Sequence, residues 1–162
     1  MPTRSSQFVV HEHHASRLHF DVRLEMDGVL KSWAVPKGPS MNPVDKRLAI
    51  MVDDHTLEYG RFEGLIPKGR YGAGAVVIWD HGTYELLDGS VAEGSLKVLL
   101  HGKRLRGAFS LIRLKGPRAT GQEWLLMKKT DADADSTFRL TTALTPAKRQ
   151  RLVETIPPCE TS

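Results

Sequence analysis

The stretch His11-Glu12-His13-His14-Ala15-Ser16-Arg17-Leu18-His19-Phe20-Asp21 gathers four of the chain's seven histidines beside an aspartate. Imidazole nitrogens and carboxylate oxygens are common ligands of zinc- and manganese-type ions, so the tract is a candidate metal site. From Arg17 to Asp27 the odd positions read Arg, His, Asp, Arg, Glu, Asp, and the even ones Leu, Phe, Val, Leu, Met. Such alternation predicts a strand with one buried face. Residues two apart on a strand point the same way with α-carbons roughly 6.5 Å apart, so His19 and Asp21 can converge on one ion. A third ligand has to come from the histidines just upstream. Spacing alone does not decide between a metal site and the wet face of a sheet.

Arg23 continues that polar face. Its planar fork suits phosphate or carboxylate oxygens, and a metal with a guanidinium beside it suggests phosphoryl chemistry. His11 and His13 also share parity, a His-x-His pair like that of cupin-type metal enzymes, which keeps an oxygenase-like site as a competing expectation. Further along, in "RLAIMVDDHTLEY", Arg47, Asp53, His55 and Tyr59 share parity and would line one face if the strand ran on. A carboxylate beside His55 would favour its imidazolium form and make it a proton donor. "FEGLIPKGRYGAGAVV" is glycine-rich but lacks the G-x-x-x-x-G-K-[ST] spacing, so its glycines are expected to make bends, with Lys68 and Arg70 as candidates to face DNA phosphates. "HGKRLRG" and "MKK" are further basic patches. Trp33, Trp79 and Trp124 are expected in the core, with stacking on a terminal base as the alternative.

These side chains need strands to hold them. Fourteen glycines and nine prolines separate short runs of branched and aromatic residues. "QFVVHEH", Arg17–Asp27, "VLKSWAV", "RLAIMVD", "GAVVIWD", "TYELL", "LKVLLHG", "GAFSLIRLKG" and "EWLLMKK" read as strands. Asp27-Gly28 reads as a hairpin turn, "DHG" and "HGKRLRG" as turns between neighbouring strands. Thr145 and Pro146 open the best helix candidate, "TPAKRQRLVETI". The expectation is a mainly all-β chain, an antiparallel barrel or sandwich with one or two short helices, forming a single domain over residues 1–162. Hydrophobic content of 40% supports a packed core, and a formal net charge of +4 favours an anionic partner such as nucleic acid. No segment has the length to span a bilayer, and no signal peptide is recognisable. The lone Cys159 fits a reducing compartment, so a cytoplasmic monomer is expected.

The tracts "FVVHEHHASRLHFDVRLEMDGVLKSWAVPKGPS", "KRLAIMVDDHTLEY" and "FEGLIPKGRYGAGAVVIWDHGTY" strongly resemble the phosphoesterase domain of bacterial ATP-dependent DNA ligase D. The resemblance covers about residues 8–129, leaving 130–162 as a carboxy-terminal tail. It implies a small β-barrel with a polar active-site groove. The enzyme it implies is manganese-dependent, with Co2+ or Zn2+ as other ions the ligands would accept. Such an enzyme heals DNA or mixed RNA/DNA 3′ ends, as a 3′-phosphatase and as a 3′-ribonucleoside-removing phosphodiesterase, in non-homologous end joining. A DNA ligase and end-joining factors would be its partners. A non-catalytic end-binding barrel that recruits a ligase is the alternative within the same resemblance. Carried over by position, the metal ligands fall on His13, His19 and Asp21. The phosphate contacts fall on Arg23 and His55, further activity positions on Lys37, Arg47 and Tyr59, and a supporting acid on Asp53. His11 and His14 become neighbours or bystanders. Two positions depart from the family pattern: His14 stands where an acid is usual, and Glu12 replaces a common basic residue. Ahead of the first strand the chain carries only "MPTRSSQ", where relatives have a charged arm that assists ribonucleoside removal, so the phosphatase step is the firmer expectation.

Overall fold

Asp27 and Gly28 set the first hairpin. Both take positive φ, 53° and 80°, the mirror-image turn whose twist matches paired strands. In the computed structural model, which describes residues 6–158, this hairpin joins β2 (Leu18–Met26) to β3 (Val29–Val35). Cys159 and most of the amino-terminal arm lie outside the described residues. The other strands are β1 (Ser6–His14), β4 (Arg47–His55), β5 (Gly64–Ile66), β6 (Gly74–Ser90), β7 (Ser95–His101), β8 (Arg106–Arg113) and β9 (Glu123–Lys128). A 3-10 turn covers Leu57–Arg61, and α1 covers Pro146–Arg151.

Strands pair antiparallel in the order β1-β2-β3-β4-β9-β8-β7-β6, and β6 pairs back onto β1, closing an eight-stranded barrel as the sequence predicts. β5 adds to the edge of β6 ahead of the stretch taken by β7. Alternate residues of each strand fill the interior: Phe8, Val10, Phe20, Val22, Trp33, Trp79, Phe109, Leu111 and Trp124 belong to one buried cluster. A second, smaller cluster of Val9, Leu30, Tyr59, Phe62, Ile66 and Val76 has the opposite parity on β1 and β3 and therefore lies outside the wall.

Two sequence expectations differ from the structure. "DHG" is not a turn: β6 runs unbroken through it for 17 residues. Asp80 is buried and its carboxylate accepts the backbone N–H groups of His81, Lys103, Arg104 and Leu105. It thereby organises the "HGKRLRG" turn from a neighbouring strand. Gly82 is required not by a turn but by close strand approach, since a Cβ there would collide with the His101 carbonyl. The second difference is that β2 has no wet central stretch. Asp21 and Arg23 are 6% and 2% exposed, because the outer cluster covers the face that alternation marks as polar.

The segment after β9 packs along the barrel. Phe138, Leu140 and Ala143 pack on the interior cluster, and Trp79 Nε1 donates to the Thr141 carbonyl at 2.7 Å. Thr145 caps α1 through its side chain, with Pro146 in the first turn, and the helix is six residues long. No helix among the described residues is long and apolar enough to cross a membrane.

Candidate metal centre

The hairpin and the β1–β2 ladder assemble the site by register. His13 pairs with His19, His11 with Asp21, Val9 with Arg23, and Arg23 in turn with Ser32 of β3. One ligand atom from each of His13, His19 and Asp21 lies within 4.8 Å of the others. His13 Nδ1 and His19 Nε2 stand 3.8 Å and 3.2 Å from the same oxygen, Asp21 Oδ2.

The far nitrogens settle how these rings are used. His13 Nε2 lies 2.6 Å from the Gly72 carbonyl, and His19 Nδ1 lies 3.3 Å from that of Arg17. A carbonyl only accepts, so these nitrogens donate, and the lone-pair positions left are the two facing Asp21. Carbonyl-anchored imidazoles beside a carboxylate are the donor set of a divalent transition-metal site, held in orientation by their outer hydrogen bonds. The residues present fit such an ion. The hydrogen bond to Asp21 raises the pKa of His19 despite its partial burial. Burial pushes the Asp21 carboxyl up, but hydrogen bonds from His13 and His19 and the charge of Arg23 outweigh it. They hold that carboxyl well below the usual range.

Arg23 sits behind the cluster with every arm of its fork engaged. Nε donates to His11 Nδ1 at 3.0 Å, Nη1 to Ser32 Oγ at 2.9 Å, and Nη2 reaches Asp21 Oδ2 at 3.4 Å. Its Cζ lies 4.7 Å from the centre of the Tyr59 ring. Tyr59 is brought there by the 3-10 turn and also touches the rings of His11, His55 and Phe62. His55 Nδ1 lies 3.1 Å from Arg23 Nη1 and also 3.1 Å from the Asp53 carbonyl. One nitrogen cannot both accept and donate. The guanidinium can only donate, so Nδ1 accepts from it and the His55 proton resides on Nε2.

That arrangement reverses one sequence expectation. Burial and the Arg23 charge push His55 down to about 4, and the nearby acids Asp53 and Asp21 only partly oppose them. His55 is therefore neutral at pH 7. The common parity of Arg47, Asp53 and His55 is also broken, by an irregularity where Ser32 pairs with Val52 but Leu30 pairs with His55. The skipped residue turns His55 to the outer face beside Arg23. Asp53 is exposed and touches His55 through its backbone alone. Arg47, at the start of β4, reaches Asp45 at 3.4 Å rather than the cluster. Lys37 is exposed in the turn after Val35, whose partner across the ladder is Phe20, between His19 and Asp21.

His11 is no bystander. It is fully buried, its Nε2 donates to the Phe62 carbonyl at 3.0 Å, and its Nδ1 accepts from Arg23. Burial, then the adjacent Arg23 charge, push it down to about 3, so it is neutral. With both nitrogens committed it does not pair with His13 as a ligand, which removes the basis for the cupin-like reading. His11 and Ser32 are the participants that sequence reasoning missed. Register held the signal: a two-residue turn at Asp27-Gly28 sets Arg23 opposite Ser32. The two departures from the family pattern join each other. His14 Nε2 lies 2.7 Å from Glu12 Oε2, and the Glu12 carboxylate accepts the backbone N–H groups of Ala143 and Leu144, away from the metal cluster.

Fold and site together define a closed β-barrel bearing on its outer wall a cluster of two histidines and one aspartate that could hold a metal ion, backed by a buried arginine. Residues 11–113 match the family model of the DNA ligase D 3′-phosphoesterase domain, and the chain belongs to that family. It is 49% identical over 138 residues to the multifunctional non-homologous end joining protein LigD of Pseudomonas aeruginosa, covering 82% of this chain and 16% of that protein. It is 54% identical over 113 residues to the LigD DNA repair protein of Mycobacterium tuberculosis, covering 68% and 15%. Against LigD of Mycolicibacterium smegmatis the figures are 45% over 136 residues, 78% and 17%. The chain thus spans about one sixth of the length of these curated relatives.

Proposed function

We propose that this chain is a manganese-dependent phosphoesterase that heals DNA 3′ ends in the cytoplasm during end joining, with a DNA ligase as its working partner. The observation that carries the proposal is the convergence of His13 Nδ1, His19 Nε2 and an Asp21 oxygen within 4.8 Å, next to a buried guanidinium. His13, His19 and Asp21 would hold the ion, whose contribution when bound is Lewis-acid stabilisation of charge on a phosphoryl oxygen. Arg23 turns Nη1 and Nη2 from His55 and Asp21 to the remaining phosphoryl oxygens. It is preorganised for this by His11, Ser32 and Tyr59, so little is spent on reorientation as charge shifts.

His55 acts at the same phosphate. Neutral in the free protein, it gains basicity when an anion arrives beside it, because a nearby negative charge favours imidazolium. Substrate binding thereby loads a second proton on Nδ1, which then donates to the Asp53 carbonyl instead of accepting from Arg23, and the imidazolium gives its Nε2 proton to the leaving oxygen as water attacks phosphorus. Tyr59 keeps Arg23 and His55 in register through its ring. Lys37 and Arg47 serve phosphates further from the scissile bond, Arg47 by leaving Asp45, and Asp53 supports His55 through its carbonyl.

The test is release of inorganic phosphate from a primer-template ending in a 3′-phosphate, with manganese or with chelator. Manganese-dependent release supports the proposal. End binding with no turnover under any divalent ion would instead make the chain a recruiting module. A primer ending in a ribonucleotide, assayed alongside, reports on the phosphodiesterase step.

A further inference from the structure

None of the tryptophans is available to meet a nucleic-acid base. Trp33, Trp79 and Trp124 are all buried in the barrel. Of the five Phe, three Trp and three Tyr, Tyr71 alone stands in solvent, 96% exposed, and its ring stabilises nothing in the fold. It lies in the 67–73 loop between β5 and β6, a pair of tight turns closed by Arg70 N–H to the Pro67 carbonyl at 3.2 Å and Ala73 N–H to the Arg70 carbonyl at 3.1 Å. Gly69 and Gly72 take φ of 89° and 76° in these turns, values that other residues adopt at a cost. The loop is fixed to the metal centre, because the Gly72 carbonyl that accepts from His13 Nε2 belongs to the residue after Tyr71.

The other imidazole is anchored in the same way. His19 is held by the carbonyl of Arg17, which is itself exposed in the β1–β2 turn. The two ligand histidines are therefore braced by two segments that also carry an exposed aromatic ring and exposed cations, Arg17 on one and Tyr71 with Lys68 on the other. A π-face accompanied by cations is the usual equipment for a strand end. Cations meet phosphates, and the ring stacks on a base with little regard to which base it is.

We propose that the 67–73 loop seats the terminal nucleotide of the 3′ end, with Tyr71 stacking on its base and Lys68 and Arg17 meeting flanking phosphates. This rests on the reading of the metal centre as a 3′-phosphoesterase and names what selects its substrate. A DNA end is favoured over a small phosphomonoester because the small molecule has no base to stack.

Wild type, Tyr71→Ala and Tyr71→Phe are compared on a 3′-phosphorylated primer-template and on glycerol 3-phosphate, which has no ring, by release of inorganic phosphate. Binding to a 3′-phosphorylated primer with terminal 2-aminopurine is followed by fluorescence quenching, without manganese. Tyr71→Ala is expected to raise KM for the primer about 5- to 150-fold, the range carried by base–aromatic stacking. Its kinetics on glycerol 3-phosphate stay at the wild-type level, and quenching is lost. Tyr71→Phe keeps quenching and a KM within about twofold of wild type, because its ring is retained. The proposal is overturned if Tyr71→Ala leaves primer KM and quenching unchanged, or if it weakens both substrates equally, which would mean a disturbance passed to His13 through Gly72. If wild type turns over neither substrate, the enzymatic reading fails, while quenching in wild type that is lost in Tyr71→Ala still upholds the base seat.

Discussion

His11 separates two ways of losing a buried hydrogen bond. Its Nδ1 accepts from the Arg23 guanidinium and its Nε2 donates to the Phe62 carbonyl. In His11→Asn the side-chain oxygen falls where Nδ1 was, so the bond to Arg23 is kept and the bond to Phe62 is lost. In His11→Gln the amide nitrogen reaches the Phe62 carbonyl, and the bond to Arg23 is lost. A hydrogen bond to a charged group is worth about 1.5–3 kcal/mol and a neutral one about 0.5–1.5 kcal/mol. If the charged bond serves to aim Arg23 at the transition state, its loss lowers kcat about 10- to 100-fold with KM little changed. His11→Gln should show that fall in phosphate release from the 3′-phosphate primer. His11→Asn should stay within about threefold of wild type, since its lost partner is a neutral carbonyl. Both variants should melt lower, by about 3–8 °C for a chain of this size. Equal kcat in the two variants, or a lower value in His11→Asn, would refute the assignment of His11 to Arg23.

Other consequences follow from the same geometry. Asp21→Asn leaves the buried Arg23 without its anion and the two imidazoles without a carboxylate. Manganese affinity by calorimetry should fall by more than about 100-fold, beyond the loss of an outer hydrogen bond, and the metal-free protein should lose about 3 kcal/mol in urea unfolding. The metal-free protein should also lose stability on acidification. His11 titrates at about 3 when folded against 6.5 when unfolded, so below pH 6.5 the unfolded chain takes up the proton first. That costs up to about 1.4 kcal/mol per pH unit, and His55, held at about 4, adds in the same direction. The His19 contribution, from a raised pKa, is already complete below 6.5 and offsets none of this, whereas Asp21 adds its own loss only below its unfolded value of 3.8. Melting temperatures in chelator that stay flat between pH 7 and pH 5 would contradict this account. Gly82→Ala should destabilise by about 3 kcal/mol, since its Cβ meets a strand carbonyl rather than a yielding side chain. An unchanged melting temperature would show that β6 and β7 separate more easily than the packing implies.

Alternation and turn chemistry made most of the barrel legible. The strands flanking Asp27-Gly28 and the Thr145-Pro146 helix start were readable because each depends on two or three adjacent residues. The errors arose where a distant part of the chain decides. Gly82 resembles a turn residue until β7 is laid across it, and Asp80 resembles an exposed turn acid until it is seen gathering three N–H groups from the next turn beside that of His81. The polar face of β2 could not be recognised as buried, because its cover comes from the 3-10 turn and Phe62. The triad itself was reachable from spacing and family pattern, whereas the role of His11 needed the Phe62 carbonyl, 51 residues away. Irregular pairing on β4, which aims His55, leaves no local signature at all.

Anomalous diffraction at the manganese edge from crystals grown with Mn2+ tests the central claim most directly. One strong peak is predicted within bonding distance of His13 Nδ1, His19 Nε2 and an Asp21 oxygen, about 2.0–2.2 Å from each, with Arg23 still bound to His11. Density for all three side chains with no peak between them at saturating manganese, or a peak held by other residues, would contradict it.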